Sequence, residues 1–204
     1  MPRVTEEHLE RRRQQIIDAA QLCFARKGFH ETSMQDVFAE SGMSAGAVYR
    51  YFTSKNDIIA AMVARTMGPL RIGLTEIIRR DVAPTPAEVV HLLTSEVIAR
   101  SGPEGPLRLA PQVWALAVVQ PDAGIPVRDG VLAMRDLWVE YGARIQALGW
   151  LPADADLEVF AKTILGLLPG FILQHLLLDD VTPEDFVRGV EMMWPVTLDR
   201  PPAS

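Results

Sequence analysis

Among its 204 residues the chain has one cysteine, Cys23, so an internal disulfide is excluded and the sequence reads as intracellular or redox-indifferent. Long hydrophobic runs are also missing. The longest apolar stretch, Ile164 to Leu178, has 15 residues and is interrupted by Pro169, Gln174 and His175. A membrane span needs roughly 18, and the first thirty residues are too charged for a signal peptide, so a cytoplasmic protein without a membrane partner is expected. No β-branched run alternates at period two, and there is no internal repeat or low-complexity tract. With 49% apolar and 23% charged residues, disorder is excluded as the main description. No glycine-rich phosphate loop follows a strand, and no nucleophile–base pair stands out. The four histidines (His8, His30, His91 and His175) have neither an i,i+4 partner nor a nearby cysteine. Neither catalysis nor a metal or other cofactor is expected.

What the sequence does have is helical periodicity and an uneven charge. The formal net charge of −6 divides into +1 for residues 1–65 (nine Lys/Arg, eight Asp/Glu) and −7 for 66–204 (eleven and eighteen), which suggests two parts with different partners. From Glu6 to Lys27 the apolar positions Ile16, Ala19, Ala20, Cys23 and Phe24 form one stripe, and Gly28 stands where a left-handed cap would end the helix. Thr32 followed by Gln35 has capping-box spacing and opens a short helix with Val37 and Phe38 inward. Ser41-Gly42 breaks it, Ser44 offers the next N-cap for a helix to Phe52, and Lys55 begins a long helix to about Arg80. Prolines then mark off helices near 86–101, 105–119, 125–149, 154–178 and 183–195. In the third, Val127, Val131, Met134, Trp138, Tyr141, Ile145 and Leu148 form a continuous seam.

Two short helices joined at Gly42 within about twenty residues form a helix-turn-helix pattern, whose second helix can enter a DNA major groove. Small side chains at Ser44-Ala45-Gly46-Ala47 allow close approach, and Tyr49, Arg50 and Tyr51 supply donors for phosphates or guanine edges. Lys55, at the start of the next helix, adds a cation that favours an anion. The stretch from Gly28-Phe29 through Thr32-Ser33-Met34-Gln35-Asp36-Val37 to Ser41-Gly42-Met43-Ser44-Ala45-Gly46-Ala47-Val48-Tyr49-Arg50-Tyr51-Phe52-Thr53-Ser54-Lys55-Asn56-Asp57 resembles the TetR/AcrR family of bacterial repressors. The resemblance covers roughly residues 11–60. It implies an all-α homodimer with a three-helix DNA-binding domain and arm (1–54), followed by a larger ligand-binding and dimerisation domain (55–204). Matched position by position, it implies that Ser33, Gln35, Ser44, Tyr49, Tyr51 and Lys55 grip phosphates and that Ala45, Gly46 and Arg50 face bases. Arg50 is the best direct reader, since alanine can only touch a thymine methyl and glycine offers no side chain. Arg3 and Arg11–Arg13 would reach flanking DNA as an arm, or form an ordinary solvated terminus.

The C-terminal part holds Trp114, Met134, Trp138, Tyr141 and Phe171 with isolated polar groups at His91, Gln112 and Gln174. These would line a mostly apolar effector pocket, the rival reading being that the aromatics simply pack a core. Residues 157–178, apolar almost all round, and the helix 183–195 with Trp194 would form an isologous contact in a homodimer. Arg100, Arg108, Arg144 and Arg188 would lie at its rim. The expected function is a repressor released from a pseudo-palindromic duplex operator by a small, largely apolar ligand. The alternatives are a helical small-molecule-binding protein without operator recognition and a helical enzyme. Cys23 reads as a structural thiol.

Overall fold

The computed structural model describes residues 6–102 and 105–194, which are helical with no strand among them. The helices are α1 (Glu6–Glu31), α2 (Met34–Ser41), α3 (Ala45–Tyr49), α4 (Lys55–Ile78), α5 (Pro86–Ala99), α6 (Ala110–Val119), α7 (Pro121–Ala147), α8 (Leu157–Leu165), α9 (Leu167–Leu177) and α10 (Pro183–Met193). A 3₁₀ turn at Pro106–Leu109 leads into α6. The chain forms two compact units: residues 1–68 with 100–130, and residues 69–99 with 131–204.

In the first unit, the apolar stripe of α1 buries Ile16, Ile17, Ala20 and Phe24. At Gly28 the backbone takes φ 77°, a left-handed value that glycine adopts without penalty. One more turn then brings Phe29 inward, its ring 4.6 Å from that of Phe24. The cap of α2 falls one residue later than the spacing predicts. Ser33 is the N-cap and Asp36 completes the capping box, while the Thr32 hydroxyl donates to the Gly28 carbonyl at 2.7 Å. Gly42, at φ 65°, makes the turn into α3. There Ser44 caps the helix by accepting from the Ala47 amide, and Val48 is fully buried. Asp57 accepts from the amides of Thr53 and Ser54 and from the Thr53 hydroxyl, which starts α4.

This core does not stop at residue 54. Ile58, Ile59, Ala61, Met62 and Val63 of α4 belong to it, as do Leu109, Val113 and Leu116 around α6. The compact unit therefore departs from the 54/55 boundary. An isolated three-helix segment would leave apolar sides of Ile16, Phe24, Val48 and Phe52 in water, where side chains of α4 and α6 complete the cluster.

In the second unit, α5 packs against α9 and α10. The seam of α7 is buried at Met134, Trp138, Tyr141 and Ile145 and opens to solvent at Val131 and Leu148. The Tyr141 hydroxyl donates to the Pro84 carbonyl at 2.9 Å, and burial pushes its phenol well above the ordinary range. Arg144, expected at a dimer rim, instead donates to the carbonyls of Ile78, Arg80 and Asp81 at the end of α4. The expected single helix at 154–178 is broken at Gly166 into α8 and α9. By length and apolarity alone, α4 and residues 157–177 are each long enough to cross a bilayer. Residue 195 and Arg3 lie outside the described residues.

Candidate DNA-binding surface

With Val48 committed to the core, α3 turns Ser44, Ala45, Gly46, Tyr49 and Arg50 outward, all of them exposed. Ala45 and Tyr49 are four residues apart, as are Gly46 and Arg50, so each pair shares a face one turn apart. A Cβ built on Gly46 would meet nothing within 4 Å, so the protein itself leaves open space there. Tyr49 stands edge-on to Phe38, ring centroids 5.4 Å apart, which fixes its direction while leaving it 48% exposed. Arg50 is exposed and makes no ion pair among the described residues, so its guanidinium is available to an outside acceptor. The structure thus brings five of the nine expected contact residues onto one short helix and its cap.

The other four are placed differently. Gln35 is exposed on α2. Ser33 is exposed too, but its hydroxyl is occupied by the capping box, donating to Asp36 at 2.7 Å. Tyr51 is half-buried and packs against the core. Lys55 points inward: its ammonium donates to the carbonyls of Phe29 at 2.6 Å and Thr32 at 2.9 Å. In the arm region, Arg11 and Arg12 are exposed, whereas the Arg13 guanidinium lies over the Phe52 ring at 5.3 Å.

Two supporting interactions escaped the sequence reading. Arg65 on α4 donates to Gln14 (3.2 Å), Asp18 (2.5 Å) and Gln21 (2.7 Å), tying α4 to α1. The i, i+4, i+7 spacing of those acceptors was the available signal. On α1 and α2, Lys27 lies 2.5 Å from Asp36, and this contact, with the Ser33 hydrogen bonds, holds the Asp36 carboxyl well below the usual range. Cys23 is buried, and burial together with Glu40 and Asp36 raises its thiol pKa, as a structural thiol requires.

The eight expected effector residues are divided between the two units. Gln112 and Trp114 belong to the first unit and the other six to the second. The Gln112 side-chain oxygen accepts from the Phe29 amide at 3.3 Å, so it serves the α1 kink rather than a pocket. Met134, Trp138, Tyr141 and Phe171 are packed core, and the cavity beside Trp138 holds only about 10 Å³, lined by Val90, Thr94 and Phe186 among others. Gln174 is exposed on α9 and donates to the Gly170 carbonyl at 3.3 Å. His91 alone faces a sizeable opening, a groove of about 1090 Å³ between α5, α10 and the loop before α5.

A buried-and-capped helix pair joined by a left-handed glycine, with small and cationic side chains turned outward, has the geometry of a helix-turn-helix. Residues 16–62 match the family of bacterial regulatory proteins of the tetR type. The HTH-type transcriptional regulator YfiR of Bacillus subtilis is 45% identical over 62 residues, 30% of each chain. The HTH-type transcriptional repressor Rv1474c of Mycobacterium tuberculosis is 33% identical over 105 residues, 49% of this chain and 56% of that protein. The chain therefore spans less than two thirds of the length of these two relatives. Across the whole fold, a transcriptional regulator from Pseudomonas aeruginosa PAO1 superposes with a TM-score of 0.76 at 25% identity, covering 90% of this chain and 88% of that one. Residues 16–62 are thus similar to the DNA-binding segment of tetR-type bacterial regulatory proteins, and the fold of the whole chain is similar to that of a bacterial transcriptional regulator.

Proposed function

We propose that the protein is a cytoplasmic, homodimeric repressor that binds a pseudo-palindromic operator through α3 and leaves it when a small ligand enters the second unit. The observation that carries this reading is the outward face of α3, with Gly46 open and Arg50 exposed beside it. In a two-fold dimer, two such helices enter major grooves about 34–36 Å apart or a little beyond. The name of Rv1474c, a transcriptional repressor, supports the sign of regulation.

The close packing around Trp138 bears on the ligand step. A molecule larger than the roughly 10 Å³ cavity has to displace the helices that line it, so binding there selects a different helix arrangement. By linkage, operator DNA then weakens the ligand by the same factor that the ligand weakens DNA.

Fluorescence anisotropy against the DNA upstream of the protein's own gene, at two salt concentrations, tests the reading. The expected result is sequence-preferring binding that weakens steeply with salt. Arg50→Ala should lower the preference for the operator over random duplex by ~10- to 100-fold, the value of one bidentate guanine contact. Weak binding that is equal for all duplexes, at this site and in a selection from genomic DNA, would favour a ligand-binding protein without operator recognition.

A further inference from the structure

The backbone of Phe29 is held on both sides by side chains from distant parts of the chain. Its N–H donates to the Gln112 side-chain oxygen on α6 at 3.3 Å, and its carbonyl accepts from the Lys55 ammonium on α4 at 2.6 Å. The helix cannot supply these partners, because the left-handed step at Gly28 has just broken the i→i−4 ladder. Lys55 also donates to the Thr32 carbonyl at 2.9 Å, one residue before the N-cap of α2. A Cβ on Gly28 would lie 3.3 Å from the same Gln112 oxygen, so the amide is seated against the kink itself. Residues of α4 and α6 therefore meet on the backbone of one α1 residue, five residues before α2 begins.

We propose that Gln112 and Lys55 are positioning residues for DNA binding: they clamp the Phe29 peptide, and α6 thereby sets how α2 and α3 are carried. The proposal rests on the DNA-binding reading above and assigns a control point within it. It separates Lys55 from the phosphate contacts, since two of its three N–H donors are spent on carbonyls. It also makes Gln112 the part of the clamp that regulation can reach. Gln112 is exposed and its bond is the longest of the set, so a shift of α6 by under ~1 Å takes it past hydrogen-bonding distance. The shorter, half-buried Lys55 contacts would persist.

The experiment uses the full-length protein and a short duplex enriched from a randomised library by the wild type. Anisotropy titrations across a salt series give both affinity and the slope of log K against log salt, and hydrogen exchange reports on the Phe29 amide. Gln112→Leu should weaken binding about tenfold with an unchanged slope and speed Phe29 exchange. Gln112→Glu, which keeps the acceptor, should restore wild-type affinity and exchange. Lys55→Met should weaken binding, again with an unchanged slope. A slope that falls by about 0.9 in Lys55→Met makes Lys55 a phosphate contact and overturns its assignment. Wild-type affinity and wild-type Phe29 exchange in Gln112→Leu overturn the clamp. A wild type with no salt-dependent affinity for any duplex removes the regulator reading and the positioning role with it, while Phe29 exchange still shows whether the clamp exists.

Discussion

At the scale of single residues, the helix starts of this protein depend on ionised aspartates. Asp36 accepts from the Ser33 amide and hydroxyl and from Lys27. Asp57 accepts from Thr53 and Ser54, and Asp185 from the Thr182 amide and hydroxyl. In each case these bonds favour the charged carboxylate and depress its pKa below the ordinary value. The unfolded chain, titrating near ~3.9, then binds more protons than the folded one in moderate acid, so stability rises with pH there. The contribution is fully present above that unfolded value and is lost as pH falls through the folded values. Thermal melts followed by circular dichroism should show the midpoint falling progressively below about pH 4, with a shallower fall in Asp57→Asn. Parallel falls in wild type and variant would mean that this cap does not carry the acid sensitivity.

At the scale of elements, the long-range ties are made by side chains that finish a neighbour's backbone. Tyr141 on α7 donates to the Pro84 carbonyl just before α5, inside a buried site. Tyr141→Phe leaves that acceptor unpaired, and urea denaturation should show a loss of ~1–3 kcal/mol. An unchanged midpoint would mean that water reaches Pro84. Helix periods and stop signals were readable because they are local: Gly28 and Gly42 do break the chain with left-handed φ values. The cap of α2 was misplaced by one residue because Thr32 and Ser33 are both capable N-caps. Only the folded kink, which presents the Gly28 carbonyl to Thr32, decides between them. Apolar spacing alone could not show the break at Gly166, since apolar residues run on without a gap from α8 into α9, which is apolar almost all round. Within the candidate site, the outward residues of α3 were legible from small and cationic side chains in a turn-bounded segment. The roles of Lys55 and Gln112 were not, because each depends on a partner many residues away, 83 in the case of Gln112 and Phe29.

At the scale of the whole molecule, the second unit leaves apolar side chains in water along α8, α9 and α10. Leu177 is 76% exposed and Met192 79%, and Val159, Leu178 and Met193 are each more than half exposed. Small residues interleave with them: nothing lies within 4 Å of a Cβ built at Gly170 or Gly189, so another backbone can approach closely there. Large exposed apolar patches on soluble proteins mark association surfaces, and a helical face of this kind suits a two-fold contact with a second copy. Operator recognition by the proposed dimer needs two α3 helices held at a fixed spacing, so this surface and DNA affinity are linked. Leu177→Glu combined with Met192→Glu places charge in that contact, and sedimentation equilibrium should show the chain shifting from dimer to monomer. The monomer should keep a folded first unit and a salt-dependent affinity for random duplex, because the face of α3 is untouched. Its preference for a two-fold operator should collapse, since each half-site then binds alone and the second helix no longer arrives at the local concentration set by the first. A doubly substituted protein that still sediments as a dimer would place the interface elsewhere on the second unit. Retained operator preference in a true monomer would instead show that one α3 helix suffices for recognition.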